Sequence, residues 1–182
     1  MRIVVKNFLL ILFFIVFTNC SKKSDLNLKR DLSNFGQKMN LNDTVKINAN
    51  LSMEWYARKD KLVFIKKNDS IISLDTSVGT DTSDIRTRKN PFSPNYRYKK
   101  LKTIDINVRN NDFEIFFSDR IERTKYKSKR HDIFTIIGPN DTLHFKTKNA
   151  RSDVGKGAIA YEDLMSKFYP KEPEFKSIVI AE

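Results

Sequence analysis

VKINANLSMEW, residues 45–55, is the stretch that decides the predicted fold. Every second residue in it is apolar, namely Val45, Ile47, Ala49, Leu51, Met53 and Trp55. The residues between them are polar or charged: Lys46, Asn48, Asn50, Ser52 and Glu54. Successive side chains of a β-strand point to opposite sides, so this alternation puts six apolar groups on one face of a sheet. The length of the run predicts a bend or a bulge within it.

Further strand segments surround this one and are joined in pairs by turn residues. The pairs are 62–65 with 71–74, 104–108 with 113–117, and 133–137 with 143–147. Asn-Asp occurs at four of the connections, at Asn42, Asn68, Asn111 and Asn140. Asn and Asp tolerate left-handed backbone and hydrogen-bond their own main chain, so these positions predict turns. Residues 75–100 form a long polar connection that can hide a strand at 96–101.

Helical spacing occurs near each end of the chain. Leu28, Leu32, Phe35 and Met39 predict an amphipathic helix over residues 26–39. A second helix is predicted over 158–169, where Pro170 ends it, followed by a closing strand over 175–180. The predicted fold class is therefore mainly β (α+β). We expect an antiparallel, hairpin-rich sheet, arranged as a sandwich or a partly closed barrel, in one domain over 26–182.

The N-terminus has the features of an export signal. Arg2 and Lys6 precede an uninterrupted apolar run over residues 8–17. Ten residues fall within the ~7–15 of a signal-peptide apolar region and short of the ~20 that a membrane-spanning helix needs. Length therefore favours a cleaved signal over a spanning anchor.

The residues that end this run, Phe17-Thr18-Asn19-Cys20, resemble the lipobox of bacterial lipoproteins, and the relaxed form of the box is similar to that of Bacteroidota. Cys20 matches the pattern, Phe17 and Thr18 are related to the usual residues, and Asn19 departs from it. The resemblance implies that residues 1–19 are removed and that Cys20 carries acyl chains. Residues 20–25 then form a lipidated tether. Ser21-Lys22-Lys23 lacks the acidic residues of surface-displayed relatives, which favours the periplasmic side of the outer membrane.

The charge of the chain bounds the kind of partner. The net charge is +12, and removal of residues 1–19 takes away two basic residues and no acidic one, which leaves about +10. For an exported protein this charge favours an acidic envelope protein or an anionic glycolipid over nucleic acid as a partner, in addition to the membrane contact that the lipobox resemblance implies through Cys20. A solvated basic surface without a dedicated ligand is the competing interpretation. A single cysteine excludes an internal disulfide and zinc sites built from cysteine pairs.

No catalytic or metal-binding motif stands out. His131 and His144 have no metal-ligand spacing, and no G-x-S-x-G elbow is present. We therefore predict no enzyme activity, no cofactor and no metal site. Paired carboxylates of a glycosidase type stay open, because such acids need not be neighbours in the chain.

The candidate anionic-ligand patch is the basic run Lys125, Lys127, Lys129 and Arg130. If the run is extended, the three lysines project to one side and suit phosphate or carboxylate groups. The alternative is an exposed edge on which lysines prevent strand aggregation. A second basic and aromatic stretch covers 86–102, whose tyrosines either stack on a sugar or cover the core.

These observations predict a membrane-anchored envelope lipoprotein with a non-catalytic binding or structural role. The alternative is an envelope inhibitor or immunity protein that blocks a toxin or hydrolase, since small size and strong net charge fit that role too. A cell-wall-active enzyme is the third hypothesis.

Overall fold

The computed structural model describes residues 24–51, 58–82, 95–124, 132–147 and 154–175. The described strands are β1 (Thr44–Asn50), β2 (Arg58–Lys66), β3 (Ile71–Asp81), β4 (Tyr96–Lys100), β5 (Ile104–Asn107), β6 (Ile121–Thr124), β7 (Asp132–Ile137) and β8 (Thr142–Thr147). They form one sheet in the order β4-β3-β2-β1-β7-β8-β6, with β5 also paired to β3. Every pairing is antiparallel.

The predicted mainly β (α+β) class is confirmed, and the sheet is not closed, which is consistent with a sandwich-like arrangement. The described α-helices are α1 (Leu28–Asp31), α2 (Phe35–Lys38), α3 (Asp112–Arg120) and α4 (Val154–Phe168). Short 3-10 helices cover Leu32–Asn34 and Pro173–Phe175. None of the helices in the described segments is long and apolar enough to cross a membrane.

The alternation predicted from residue 45 onward is present in β1 and sets the two faces of the sheet. Val45, Ile47 and Ala49 are buried on what we call the core face. Lys46 and Asn48 are exposed on the opposite side, which we call the open face. Residues 52–57 lie outside the described segments, so the predicted continuation to Trp55 stays a prediction.

Aromatic side chains from the helices pack on the core face. The Phe113 ring centroid lies 4.9 Å from that of Phe64 on β2 and 5.1 Å from that of Phe168 on α4. The ring centroid of Tyr161 on α4 lies 5.4 Å from that of Phe134 on β7. The helices α3 and α4 therefore pack on the core face of the sheet, and ring contacts at these distances, edge-on, stacked or tilted, add to the stability from burial.

The predicted strand over 113–117 is wrong, because these residues lie in α3. Phe113, Phe116 and Phe117 are buried, whereas Ile115 is 48% exposed. That burial follows helical spacing, and the alternation of Phe113, Ile115 and Phe117 concealed it. The Asn110 side chain accepts a hydrogen bond from the Asp112 amide at 3.1 Å and so supports the start of the helix.

The predicted helix over 26–39 is present as three short pieces, α1, a 3-10 turn and α2. Asn34 has φ −154° and ψ 31°, which departs from helical geometry and separates α2 from the turn before it. Gly36 follows two residues later and packs so closely that an added Cβ would lie 2.7 Å from Ile72 Cδ1. The helical spacing is therefore confirmed, but the prediction of one continuous helix is wrong.

Strand β3 runs on to Asp81, well beyond the predicted 71–74, and the strand suspected at 96–101 is β4. On the outer edge of β3, residues 101–103 stand opposite Asp75 and Thr76, between the β4 and β5 pairings. Three residues opposite two make a β-bulge, which interrupts what is otherwise a single outer strand.

At two described positions the Asn-Asp turns show the predicted properties, left-handed backbone at one and a side-chain-to-backbone hydrogen bond at the other. Asn42 has a φ of 66°, and it is the one non-glycine residue with positive φ among the described residues. The Asn68 side chain accepts a hydrogen bond from the Ser70 amide at 2.9 Å. At the C-terminus, Phe175 ends a 3-10 helix, and the rest of the predicted strand over 175–180 lies outside the described segments.

Candidate functional site

The site residues predicted from the sequence lie outside the described segments. Cys20 precedes the first described residue, and the basic patch Lys125, Lys127, Lys129 and Arg130 lies between β6 and β7. Their lipid-attachment and anion-binding roles stay predictions. Of the second basic stretch, 86–94 is likewise outside the described segments, whereas 95–102 is described.

This second stretch is divided by β4 between the two faces of the sheet. Antiparallel register places Tyr98 opposite Gly79 and Lys100 opposite Ser77. Gly79 in turn pairs with Lys59 of β2, and Ser77 pairs with Lys61. Residues that pair directly share a face, so Lys59, Lys61, Tyr98 and Lys100 project together on the open face.

Two lysines of β2 lie over two tyrosines of β4 on this face. The Lys59 Nζ is 4.7 Å from the centroid of the Tyr96 ring, and the Lys61 Nζ is 4.2 Å from that of Tyr98. The two ring centroids are 6.5 Å apart. An ammonium at this distance is attracted by the negative face of the ring. We call Lys59, Lys61, Tyr96 and Tyr98 the tyrosine–lysine surface.

The two ammonium groups of this surface differ in their partners from the described lysines that form ion pairs. Lys67, Lys99 and Lys167 each form an ion pair with an aspartate or glutamate at 3.1 Å or less. Within the described segments, no carboxylate lies within ion-pair distance of Lys59 or Lys61. The rings position these cations without neutralising them, so the surface keeps its positive charge.

Gly79 makes the surface possible because it leaves room for the Tyr98 ring. A Cβ on Gly79 would lie 2.6 Å from Tyr98 Cε1 and 2.5 Å from the Lys59 carbonyl oxygen. No side chain fits at those distances, and the ring lies across the strand where only a glycine allows it. Sequence reasoning missed this position. An isolated glycine inside a strand pattern is the signal that could have revealed it.

A buried ionic network lies on the core side of the same strand. Arg58, which is 2% exposed, donates to the Asp60 carboxylate from Nη2 at 2.8 Å and from Nε at 3.0 Å. Its Nη1 donates to the Glu174 carbonyl at 2.6 Å and to Glu162 Oε1 at 3.3 Å. The Phe175 ring lies beneath the guanidinium, 4.8 Å from Cζ. The fork of the guanidinium thus joins β2 to α4 and to the last 3-10 turn.

The acids and the tyrosine of this network have shifted pKa values because water is excluded from them. Burial raises the pKa of Asp60 against the opposing effect of Arg58, and it also raises the pKa of Glu162. Burial raises the pKa of the Tyr161 hydroxyl too, and that hydroxyl donates to Asp60 Oδ2 at 3.2 Å. The Asp60 carboxylate therefore accepts from two side chains, Arg58 and Tyr161, and also from the Gly79 backbone, within the strand that carries Lys59 and Lys61.

One of the two histidines, His144, belongs to the described part of the chain. His144 lies on the open face, with Nδ1 3.3 Å from Thr135 Oγ1. His131 lies outside the described segments. Across the described ranges, no three His, Cys, Asp or Glu residues come together in a way that could hold a metal ion.

Within the described segments, the tyrosine–lysine surface offers positive charge together with aromatic rings at fixed positions. Comparison with known proteins adds no assignment to it, because the chain matches no protein-family model, no curated protein and no solved structure.

Proposed function

We propose that this protein is a lipid-anchored lipoprotein of the cell envelope whose role is non-catalytic binding. In this proposal the tyrosine–lysine surface binds an anionic partner, and acyl chains on Cys20 hold the protein at a membrane, on the periplasmic side of the outer membrane. The observation that carries the proposal is the pair of ammonium groups at Lys59 and Lys61, which lie over tyrosine rings and have no carboxylate partner in the described segments.

The geometry of the surface supports an anionic partner because its cations are already positioned. A free lysine loses side-chain freedom when it binds a ligand, which opposes binding. The contacts of Lys59 with Tyr96 and of Lys61 with Tyr98 restrict that freedom before any ligand arrives. Residues i and i+2 of a strand project from the same face about 7 Å apart, so the two ammonium groups can contact neighbouring anionic groups of one ligand.

The net charge, +12 for the whole chain and about +10 without residues 1–19, supports the same partner class at longer range. A strongly basic protein attracts anionic ligands and raises their association rate, and salt screens this attraction. Binding that depends on the tyrosine–lysine surface should therefore weaken as the salt concentration rises.

The lipid-attachment part of the proposal rests on the lipobox-like residues 17–20 and on the apolar run before them. A single acyl chain gives only marginal membrane binding, and stable anchoring takes two or more. The lipoprotein modification supplies that number. Replacement of Cys20 by serine should move the protein from the membrane fraction to the soluble fraction, and a Cys20→Ser protein that stays with membranes would contradict the anchor.

The binding role is tested with the full-length protein in detergent and two immobilised polyanions, polygalacturonate and polyglutamate. The double variant Lys59→Gln/Lys61→Gln should lose affinity by about tenfold or more, the equivalent of about 1.4 kcal/mol. The matched control Lys38→Gln/Lys171→Gln removes two exposed charges elsewhere and should stay within about twofold of the unaltered protein. Equal losses in both variants would show a general charge effect and exclude a dedicated surface.

A further inference from the structure

The chain enters the domain at a fixed corner, which begins at Ser24, within the last residues of the predicted tether. The Asn140 side-chain amide donates to the Ser24 carbonyl at 2.7 Å and to the Leu26 carbonyl at 2.9 Å. The Asp141 carboxylate accepts from the amides of Leu28 and Lys29 at 2.9 and 3.0 Å. The turn between β7 and β8 therefore holds the first described residues in place, two residues earlier than the predicted domain boundary.

This corner lies at one end of the sheet, and the tyrosine–lysine surface lies towards the other. Ser24 also donates to Asp43, which directly precedes the first residue of β1. At the far end of β1, Asn50 pairs with Lys59, which belongs to the tyrosine–lysine surface. Six residue steps separate Thr44 from Asn50, a distance of about 20 Å along a strand.

The entry corner and the surface also lie on opposite sides of the sheet. Leu26 and Leu28 are fully buried and belong to the hydrophobic core. The incoming chain thus packs on the core face, together with the helices. The tyrosine–lysine surface projects from the open face, on the other side of the backbone layer.

Because the predicted tether is short, this arrangement determines which side of the domain faces the anchoring membrane. Four residue steps join Cys20 to Ser24, and a fully extended chain covers about 14 Å over that length. Along the strands, Lys61 lies about 14 Å and Lys59 about 20 Å from the corner, and the thickness of the sheet adds to both distances. We infer that the tyrosine–lysine surface is directed away from the membrane that carries the anchor, and that its ligand is an anionic glycan polymer. This inference rests on the proposed function.

The chemistry of the surface favours a glycan over an acidic protein. Its cross-strand partners on the open face are polar: Asn48, Asn50 and Ser77 pair in register with Lys61, Lys59 and Lys61 respectively. The half-buried Val63, two residues after Lys61, is the apolar neighbour on the same strand. Of the exposed large hydrophobic side chains in the described segments, Leu41 and Ile115 lie elsewhere, and Tyr98 alone belongs to the surface. Protein interfaces are centred on buried apolar anchors. Sugars carrying carboxylates or phosphates need ammonium groups and aromatic rings, and both are present here.

Headgroups of the anchoring membrane are excluded as the main ligand by distance. At physiological ionic strength the Debye length is about 8 Å, and charge interactions beyond it are largely screened. The two lysines of the surface, about 14 and 20 Å from the entry corner along the strands, both lie beyond that range.

The experiment uses the mature lipidated protein, inserted through its acyl chains into preformed phosphatidylcholine vesicles, with soluble polygalacturonate as the probe. The vesicles should capture polygalacturonate, and neutral dextran should not be captured. The Lys59→Gln/Lys61→Gln variant should capture at least about tenfold less. The Lys38→Gln/Lys171→Gln control should capture as much as the unaltered protein.

The outcomes separate this inference from the proposed function. Binding in detergent that disappears on vesicles would overturn the orientation and leave the binding role standing. Binding of polyglutamate but not of polygalacturonate, in either setting, would overturn the glycan and favour an acidic protein partner. Loss of all polyanion binding in detergent would overturn the proposed function itself.

A second measurement reports the orientation without any ligand. Cys20 is the only cysteine in the chain and is acylated in the proposed protein, so one introduced cysteine gives a unique thiol. A fluorophore at Asn50→Cys, on the open face, should escape quenching by brominated lipids, and one at Lys29→Cys, beside the entry corner, should be quenched. Quenching at position 50 equal to that at position 29 would overturn the inference.

Discussion

The ring of Tyr98 lies across Gly79, its antiparallel partner on the neighbouring strand, at a distance that leaves no space for a Cβ. We therefore expect Gly79→Ala to displace Tyr98 and to destabilise the fold by about 1–3 kcal/mol, as overpacking does. Urea unfolding measures this loss. Ser77→Ala, two residues earlier on the same strand and face, is the control and should change stability by less than about 0.5 kcal/mol. Equal stability of the two variants would contradict the close packing at Gly79.

Tyr161 is expected to stabilise the fold through its hydrogen bond to Asp60, because that acceptor is a buried carboxylate. Tyr161→Phe should cost about 1.5–3 kcal/mol. Tyr169→Phe is the matched control, since that tyrosine is also buried but donates to the neutral Thr76 hydroxyl at 3.0 Å. It should cost about 0.5–1.5 kcal/mol. Thermal or urea unfolding of both variants tests the order, and a larger loss in Tyr169→Phe would contradict the importance of the network.

Asp31 should make the stability of the fold fall in acid. Its hydrogen bonds with the Arg30 guanidinium and the Asn27 amide lower its pKa from 3.8 to about 2. A carboxyl group whose pKa is lower in the folded state stabilises the fold above its unfolded pKa, and this contribution is lost as the pH falls through the folded value. Between about pH 4 and pH 2, the free energy of unfolding should therefore decrease less steeply in Asp31→Asn than in the unaltered protein.

Urea unfolding at several pH values measures this slope for Asp31. The control is Asp69→Asn, at an exposed position in the turn between β2 and β3. Its slope should match that of the unaltered protein. Identical slopes for Asp31→Asn and the unaltered protein would show that the hydrogen bonds of Asp31 are not maintained in solution.

Asp141 is expected to hold the entry corner, because its carboxylate accepts from the amides of Leu28 and Lys29 at the start of α1. Asp141→Ala should cost about 1–2 kcal/mol, as loss of a helix cap does. It should also increase hydrogen exchange at these two amides. Asp105→Ala is the control: it removes an acid from an ion pair with Lys67 in which both side chains are about half exposed, and it should cost less than about 1 kcal/mol. Unchanged exchange at residues 28 and 29 would contradict the capping role.

Local periodicity was sufficient for most of the fold. The alternation from Val45 onward predicted β1, and the Asn-Asp turn at Asn68 predicted the hairpin of β2 and β3. The α3 segment was misjudged because Phe113, Ile115 and Phe117 alternate, although the burial follows Phe113, Phe116 and Phe117. A short apolar run fits both periods, and only packing against Phe64 and Phe168 decides between them.

The candidate site was less predictable than the fold. Tyr98 and Lys100 lay in a stretch that sequence reasoning had marked as basic and aromatic, but Lys59 and Lys61 were not singled out. No local sequence pattern links these two lysines to tyrosines that follow more than thirty residues later. The burial of Arg58 and Asp60 was not predicted either, because a run of charged residues is usually solvated.

The sequence by itself determined the strand period, the turns, the charge and the lipobox-like residues around Cys20, because each of these depends on neighbours within a few positions. Tertiary structure alone decided that Arg58 and Asp60 are buried while Lys59 and Lys61, which alternate with them, meet Tyr96 and Tyr98 on the open face. The physical reason is register. Antiparallel pairing across β2, β3 and β4 assigns each residue to a face and selects its neighbours, and that pairing is set by contacts between residues far apart in the chain.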